Sequence, residues 1–190
     1  MEIIDMEDGI NKMNENKNYI RKNVVNLYRQ NSKMEVNLIT RDKKVYLSLS
    51  IFPTKVNVDT SNLLSKKGKQ IYDYERGMRI DLGIQEISKL LSFLKSNNSS
   101  NLNFIHKTDN KFKSVTFQKF KNRQNTDSLS VLITEKLNNS TNPKTIDDVL
   151  VNGDSSERKM KFIINDDEII LLEEFSKFVL NKYFELKLQQ

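Results

Sequence analysis

Cysteine is absent from this sequence, and histidine occurs once, at His106. Without cysteine, disulfide bonds, thiolate zinc sites and a cysteine nucleophile are excluded. A lone histidine with no second histidine and no nearby carboxylate pair at ligand spacing predicts neither a metal site nor a catalytic base. Gly77 and Gly83 are isolated, so no phosphate-cradling glycine loop is indicated. We therefore predict a protein that is not an enzyme and that uses no metal or cofactor.

Long apolar runs and targeting signals are also missing. No stretch approaches the roughly 18 apolar residues of a membrane span. Residues 1–8 carry four acidic side chains and lack the cationic start and apolar run of a secretory or transit peptide. We expect a soluble, intracellular protein without a membrane partner. It is expected in the cytoplasm or associated with a nucleoid, and the sequence does not exclude an organelle.

The charge balance is basic, with a formal net charge of +6 and a pI near 9.3. Such a field attracts a polyanion, above all nucleic acid. A lysine- and asparagine-rich composition also follows from an AT-rich genome. Basicity alone therefore leaves both explanations open.

The first half begins with a polar, asparagine-rich stretch, and we predict a flexible arm over residues 1–23. Alternation of apolar and polar residues then predicts strands at residues 24–29 and 33–40. The third strand is the clearest, because period-two apolar residues line one of its faces up to Pro53. These residues are Val45, Leu47, Leu49 and Ile51.

A fourth strand is predicted over residues 70–82, where alternation resumes. After Gly83 the apolar residues recur every three or four positions, which indicates an amphipathic helix. They are Ile84, Ile87, Leu90, Leu91 and Leu94. The turn-forming residues 96–101 end this helix and link it to the second half.

The second half shows the same order of elements. Strands are predicted at residues 102–106, 112–121, 128–135 and 160–164, with a mobile loop over residues 137–158 before the last of them. Residues 165–168 (NDDE) form a helix start, because a capping side chain and acidic residues precede an apolar run. They suit a cap better than a cation site.

The helix that follows spans residues 169–186. We predict that its buried side chains are Ile170, Leu171, Phe175, Phe178, Val179 and Phe184. The predicted fold class is α+β, with two repeated ββββα units whose antiparallel sheets pack with two helices. The units cover residues 24–96 and 101–190 of a single domain over 24–190.

Residues 69–93 (KQIYDYERGMRIDLGIQEISKLLSF) place a Tyr-Asp-Tyr strand, a basic residue, an apolar strand end and a helix opening with Glu86-Ile87 in succession. This stretch resembles the Whirly family, which binds single-stranded DNA. Residues 104–106, 111–117 and 128–135 are similar to its next three strands. The resemblance covers about residues 24–188 and implies the repeated ββββα fold.

One departure from the Whirly pattern concerns its lysine-rich DNA-binding motif. Residues 28–34 and Lys43-Lys44-Val45 are two candidates for that motif, and neither reproduces it fully. Similar folds occur in coactivator-type single-strand binders, phage recombination or replication proteins and trypanosomatid guide-RNA-binding proteins. The resemblance therefore implies binding of either DNA or RNA.

Aromatic and basic residues interleave along the predicted strands, as a single strand requires for base stacking and phosphate neutralisation. The candidate nucleic-acid-binding residues are Arg29, Lys33, Lys43, Lys44, Tyr46, Lys69, Tyr72, Tyr74, Arg76, Lys113, Phe117, Lys119, Lys121 and Arg123. The alternative for each is ordinary: aromatics are common in sheet cores, and lysines are commonly solvated.

The terminal helix is apolar around much of its circumference, more than one sheet contact needs. The surplus residues are Ile169, Leu172, Leu180, Tyr183 and Leu186. Burial against other subunits would explain them, and the resembling family forms tetramers through its helices. We expect a homo-oligomer, either a tetramer or a dimer.

The predicted function is single-stranded DNA binding in replication, recombination or genome maintenance, through a basic and aromatic sheet surface with little sequence specificity. An RNA-binding protein of organellar or viral RNA processing is the first alternative. A non-catalytic scaffold subunit of a larger assembly is the second. The sequence does not separate DNA from RNA, because discrimination depends on contacts near the sugar 2′-hydroxyl.

Overall fold

The computed structural model describes residues 19–55, 72–96, 101–108, 111–137 and 157–189. These residues form an α+β protein with two antiparallel four-stranded sheets and two helices. The elements are β1 (Tyr19–Arg29), β2 (Ser32–Arg41), β3 (Lys44–Pro53), β4 (Met78–Leu82), α1 (Ile84–Lys95), β5 (Asn101–Lys107), β6 (Lys111–Lys121), β7 (Asp127–Leu137), β8 (Glu157–Asn165) and α2 (Asp166–Leu188). Sheet 1 has the strand order β1-β2-β3-β4, and sheet 2 has the order β5-β6-β7-β8.

The alternation in β3 fixes which face of sheet 1 is buried. Leu47, Leu49 and Ile51 point to one face, and the register places Leu38, Val36 and Met34 of β2 opposite them. Because side chains alternate along a strand, their intervening neighbours line the other face. Both helices and the inner faces of both sheets contribute to one hydrophobic cluster. Each fully buried Leu, Ile or Phe in it contributes roughly 1.5 to 3 kcal/mol.

Strand β1 begins earlier than the sequence analysis predicted. Residues 19–23, assigned to the flexible arm, belong to the strand, and Tyr19 pairs with Arg41. Backbone N–H and C=O groups of β2 are there to pair with β1 along its full length. The start of β1 therefore forms a strand although its side chains do not show an alternating apolar pattern. Residues 1–18 of the predicted arm lie outside the described residues.

Strand β4 is shorter than predicted and contains neither Tyr72 nor Tyr74. The Asp73 Oδ1 atom accepts a hydrogen bond from the Arg76 backbone N–H at 3.1 Å, which closes a turn before β4 begins at Met78. Tyr72 forms only an isolated bridge with Thr54. Gly77 is required here, because a Cβ atom at this position would lie 2.3 Å from the Phe52 ring.

Both helices begin with the same arrangement. The Gly83 backbone N–H donates to Glu86 Oε2 at 2.9 Å in α1, and the Asn165 N–H donates to Glu168 Oε2 at 2.9 Å in α2. Each bond satisfies an N–H that the helix leaves without a partner. The predicted helix start at residues 165–168 is therefore confirmed. Most of the predicted loop 137–158 lies outside the described residues.

The predicted buried face of α2 was partly wrong: Phe175 and Val179 are buried as predicted, and the other four residues are not. Its buried residues are Leu172, Phe175, Ser176 and Val179. Of the predicted core residues, Ile170, Leu171, Phe178 and Phe184 are exposed instead. The residues assigned to subunit contacts point the other way: Leu172 is buried, and Ile169, Leu180, Tyr183 and Leu186 pack partly buried against the core. Since α2 is apolar nearly all round, periodicity did not select one buried face.

Candidate nucleic-acid interface

A cleft of about 540 Å³ opens between the two sheets, where β3 and β4 meet β5 and β6. Its lining comes from the ends of β2 and β5, from β3, β4 and the start of α1, and from the start of β6. The lining residues are Arg41, Tyr46, Arg79, Ile80, Asp81, Gly83, Glu86, His106, Thr108, Lys111 and Lys113. Four of them are cationic and two are carboxylates, so the cleft carries a positive field.

Strand alternation brings Arg79 and Asp81 into the cleft together. The neighbours Met78, Ile80 and Leu82 alternate with them and are buried on the core side of β4. Arg79 Nε and Nη2 donate to the two oxygens of Asp81 at 2.7 and 2.8 Å, a bidentate pair. These bonds raise the pKa of Arg79. Burial alone would raise the pKa of Asp81, but the bonds from Arg79 hold it below its ordinary value.

A second charged group closes the β6 end of the cleft around Glu135. Lys113 Nζ lies 3.2 Å from Glu135 Oε1, and Lys111 Nζ lies 3.6 Å from the same atom. Arg158 Nη1 lies 3.6 Å from the other oxygen. Burial alone would raise the pKa of Glu135, and Lys113 with the other cations lowers it. One carboxylate thus faces three cations, and the Lys111 side chain is 54% exposed.

His106 forms part of the wall between β5 and α1. Its Nε2 atom lies 2.8 Å from Glu86 Oε1, while Glu86 Oε2 accepts the capping bond from Gly83. The register places Lys113 directly across from His106. The imidazole therefore ties β5 to the start of the helix on one side of the cationic lining.

Tyr46 supplies the aromatic surface of the cleft. The Arg41 guanidinium carbon lies 5.2 Å from the centre of its ring, within range of a cation–π contact. The two are on neighbouring strands and are joined by the turn Asp42-Lys43, whose φ angles are 51° and 61°. Positive φ at both central residues is the geometry of a type I′ hairpin turn, and it leaves Lys43 and Lys44 exposed beside Arg41.

A comparison with protein-family models and a search of curated proteins each return no match. The resemblance to the Whirly family thus depends on the sequence motifs quoted above. Across the described parts of the chain, no group of three or more histidine, aspartate and glutamate side chains is placed to hold a metal ion. No helix there is long and apolar enough to cross a membrane.

The cleft contains or adjoins four of the residues that the sequence singled out. Tyr46 and Lys113 line it, and Lys43 and Lys44 lie on the adjoining turn. Sequence reasoning missed Arg41, Arg79, His106 and Lys111. The alternation of β4 puts Arg79 and Asp81 on one face of the strand, so the sequence did indicate that these two residues lie side by side. No local pattern indicates that this face meets the start of β6.

Lys33, Tyr72 and Tyr74 belong to a separate aromatic cluster at the other end of sheet 1. Lys33 Nζ lies 2.7 Å from Glu35 Oε1 and within 5.6 Å of the ring centres of Tyr28 and Tyr74. Although burial lowers the pKa of Lys33, contact with Glu35 outweighs it and raises the value. Lys33 and Tyr72 are buried, which corrects their assignment as contacts, whereas Tyr74 is 40% exposed.

Three further candidates hold the fold together. Phe117 is completely buried, so its ring offers no face to a base. Arg29 donates to both oxygens of Glu168 and, at 2.9 Å, to the Ile163 carbonyl oxygen. Lys119 Nζ donates to the Leu94 carbonyl oxygen at 2.7 Å and to that of Ser96, and so caps α1. The burial of Phe117 corrects its assignment as a stacking residue, whereas Arg29 and Lys119 are of intermediate exposure and their assignments stay predictions.

Three further candidates, Lys121, Arg123 and Arg76, are not among the residues that line the cleft. Lys121 pairs with Asp127 at 2.7 Å at the opposite end of β6, and Arg123 is in the exposed turn that follows. Arg76 contacts Asp73 in the turn before β4. Lys69 lies outside the described residues.

Proposed function

We propose that this protein binds single-stranded nucleic acid, with DNA as the first choice, in the cleft between the two sheets. The observation that carries the proposal is the convergence of Arg41, Arg79, Lys111 and Lys113 beside the Tyr46 ring. Sequence-tolerant binding of a single strand needs two features: cations that contact the phosphate backbone, and an aromatic ring on which a base stacks. A role in replication, recombination or genome maintenance follows from the Whirly resemblance.

Low base specificity is part of the proposal. Arg79 and Asp81 direct their donors and acceptors at each other, and Glu86 accepts from Gly83 and contacts His106. The polar groups best suited to reading base edges are therefore already engaged within the protein. Affinity then comes from phosphate neutralisation and stacking.

The proposed fold is a pair of Whirly-type ββββα copies. Its support is the matching order of elements and a shared sequence in the third strand of each sheet. Leu47-Ser48 of β3 and Leu129-Ser130 of β7 stand at matching places, because Leu47 pairs with Leu82 and Leu129 with Ile164, each the residue before a helix N-cap. Each fourth strand leads into a helix with glutamate at its third position.

Binding of the full chain to single-stranded DNA, single-stranded RNA and duplex DNA of one sequence tests this function. We expect both single strands to bind more tightly than the duplex, because Tyr46 needs an unpaired base face. Tyr46→Ala should weaken single-strand binding by about 1 to 3 kcal/mol, the value of one stacked base. Tyr46→Phe keeps the ring and should keep the affinity.

Tyr74→Ala is the matched control, since it removes an exposed tyrosine outside the cleft and should leave affinity unchanged. Equal binding of duplex and single strands would refute the stacking arrangement. So would full affinity in a folded Tyr46→Ala variant. A chain that binds none of the three would be better explained as a scaffold subunit.

A further inference from the structure

The wall of the cleft contains a side chain of the type that changes charge near neutral pH. Histidine gains or loses its proton between about pH 5 and pH 8, whereas carboxylates ordinarily titrate at lower pH and lysine, tyrosine and arginine at higher pH. His106 is the only histidine of the chain, and the chain has no cysteine. A change of pH in this range therefore acts on the side chains of this protein at one place, and that place lines the cleft.

His106 has a carboxylate on one side and cations on the other. Its Nε2 atom lies 2.8 Å from Glu86 Oε1 at the start of α1, and Lys113 is directly opposite on β6. The His106 side chain is 35% exposed, so the imidazole exchanges protons with solvent. The other charged or titratable side chains of the lining are Arg41, Tyr46, Arg79, Asp81 and Lys111.

Protonation of this imidazole changes the charge of the cleft by a large fraction. With His106 neutral, the four cations and two carboxylates of the lining give a formal charge of +2, and protonation raises it to +3. Burial alone would raise the pKa of Asp81 and of Glu135, but their cationic partners hold both below the ordinary value. These two carboxylates therefore stay ionised in mildly acidic solution and do not add to the change.

We infer that protonation of His106 strengthens the binding of a polyanion in the cleft, so that single-stranded nucleic acid binds more tightly in mildly acidic than in neutral solution. A unit charge about 4 Å from a phosphate in water changes an equilibrium about fivefold. The gain is present where the imidazole is protonated and is lost as the pH rises. Because coupling is reciprocal, the bound strand also promotes proton uptake. This coupling rests on the proposed nucleic-acid site and describes its regulation.

The affinity of the full chain at pH 7.5 and pH 5.5 tests the coupling. The probe is oligothymidylate with hydroxyl groups at both ends, because thymine takes up no proton in this range and a terminal phosphate would titrate near pH 6. We expect binding at low salt to be about three- to tenfold tighter at pH 5.5. His106→Gln keeps a donor for Glu86 and should bind equally at both pH values. His106→Arg keeps the charge and should bind tightly at both.

Two further readouts distinguish a charge effect from a structural role of His106. The slope of log affinity against log salt should be steeper at pH 5.5 by up to about 0.7, the contribution of one more neutralised phosphate. Calorimetry in two buffers of different ionisation enthalpy measures the protons taken up on binding. We expect at most roughly a third of a proton per bound strand, as fivefold coupling requires. The chain's α-amino group also titrates in this range, and its share is the uptake that remains in His106→Arg.

Denaturant unfolding of each variant at both pH values shows whether it is folded. If His106→Gln does not fold, the comparison of the native chain with His106→Arg still tests the coupling. Equal pH dependence and equal proton uptake in the native chain and the folded variants would overturn the coupling and leave the proposed function standing.

Dextran sulfate separates the two failures, because its sulfate esters stay ionised throughout this range. Tighter binding of dextran sulfate at pH 5.5 that is lost in His106→Arg, without any binding of DNA, would support the coupling and refute the proposed function. If neither polyanion binds at either pH, both are refuted.

Discussion

The cationic side chains of this protein differ in what their nitrogen atoms contact. Arg29 and Lys119 direct their donors at carbonyl oxygens, and Arg29 also at a carboxylate, within the fold. Arg41 and Lys111 present exposed side chains to the cleft. Charge type alone therefore does not identify a phosphate contact. We expect phosphate contacts where the cationic side chain is exposed, as it is in Arg41 and Lys111.

The role of Arg29 gives the first prediction. Arg29→Ala removes the bonds to Glu168 and the contact with the Phe162 ring, whose centre lies 5.0 Å away. We expect the free energy of unfolding to fall by about 2 kcal/mol, the value of a hydrogen bond to a charged group, with nucleic-acid affinity unchanged. Denaturant unfolding and a binding titration measure the two effects. Arg123→Ala, on an exposed turn, should change stability by less than about 0.5 kcal/mol. Weaker binding with native stability would return Arg29 to the interface.

Glu135 gives a prediction about acid. Its pKa in the folded protein lies below the ordinary value of 4.5, so its ionised form stabilises the fold above that pH. This contribution is lost as the pH falls through the lower folded pKa. We expect Glu135→Gln to be less stable at pH 7 and to lose less further stability between pH 5 and pH 3. The denaturant midpoint of each protein, measured across this pH range, tests the prediction. If stability falls with pH equally in the two proteins, Glu135 does not have the lowered pKa. The pKa of Asp81 is also lowered, so we expect Asp81 to account for the acid sensitivity that remains in Glu135→Gln.

At the scale of elements, the strands and helices that the sequence predicted correctly are those with a single continuous apolar face. β2 and β3 lie where their alternation predicted, because only one face of each is continuously apolar. β4 was extended too far, since Tyr72 and Tyr74 share its phase and the turn closed by Asp73 is a side-chain effect. In α2 two opposite faces are apolar, so local sequence does not select between them.

The exposed face of α2 carries the prediction about assembly. Ile170, Leu171 and Phe178 lie on the helix surface away from the core, and such a patch favours self-association. We expect Leu171→Asp and Phe178→Asp to give folded monomers. Val179→Asp, on the buried face, should unfold the protein. Light scattering with thermal unfolding distinguishes these outcomes. A native chain that is monomeric at micromolar concentration would rule out the homo-oligomer.

At the scale of the whole molecule, the candidate cleft is a product of tertiary structure. Lys113 Nζ donates to the Arg79 carbonyl oxygen at 3.0 Å, although the two residues are 34 positions apart and belong to different sheets. Periodicity predicted the strands that carry them, and interleaving of aromatic and basic residues indicated Tyr46 and Lys113. Neither signal reports which strand ends meet. Arg41, Arg79 and Lys111 could therefore be recognised only once the two sheets had been placed.

The salt dependence of single-stranded DNA binding tests the central claim most directly. Each neutralised phosphate contributes a slope of about −0.7 to the plot of log affinity against log salt. We expect Arg41→Ala with Lys111→Ala to make the native slope shallower by about 1.4. Lys121→Ala with Arg123→Ala, roughly 33 Å away at the other end of β6, should leave it unchanged. An unchanged slope in the cleft variant, or an equal loss in the distant one, would contradict nucleic-acid binding in the cleft.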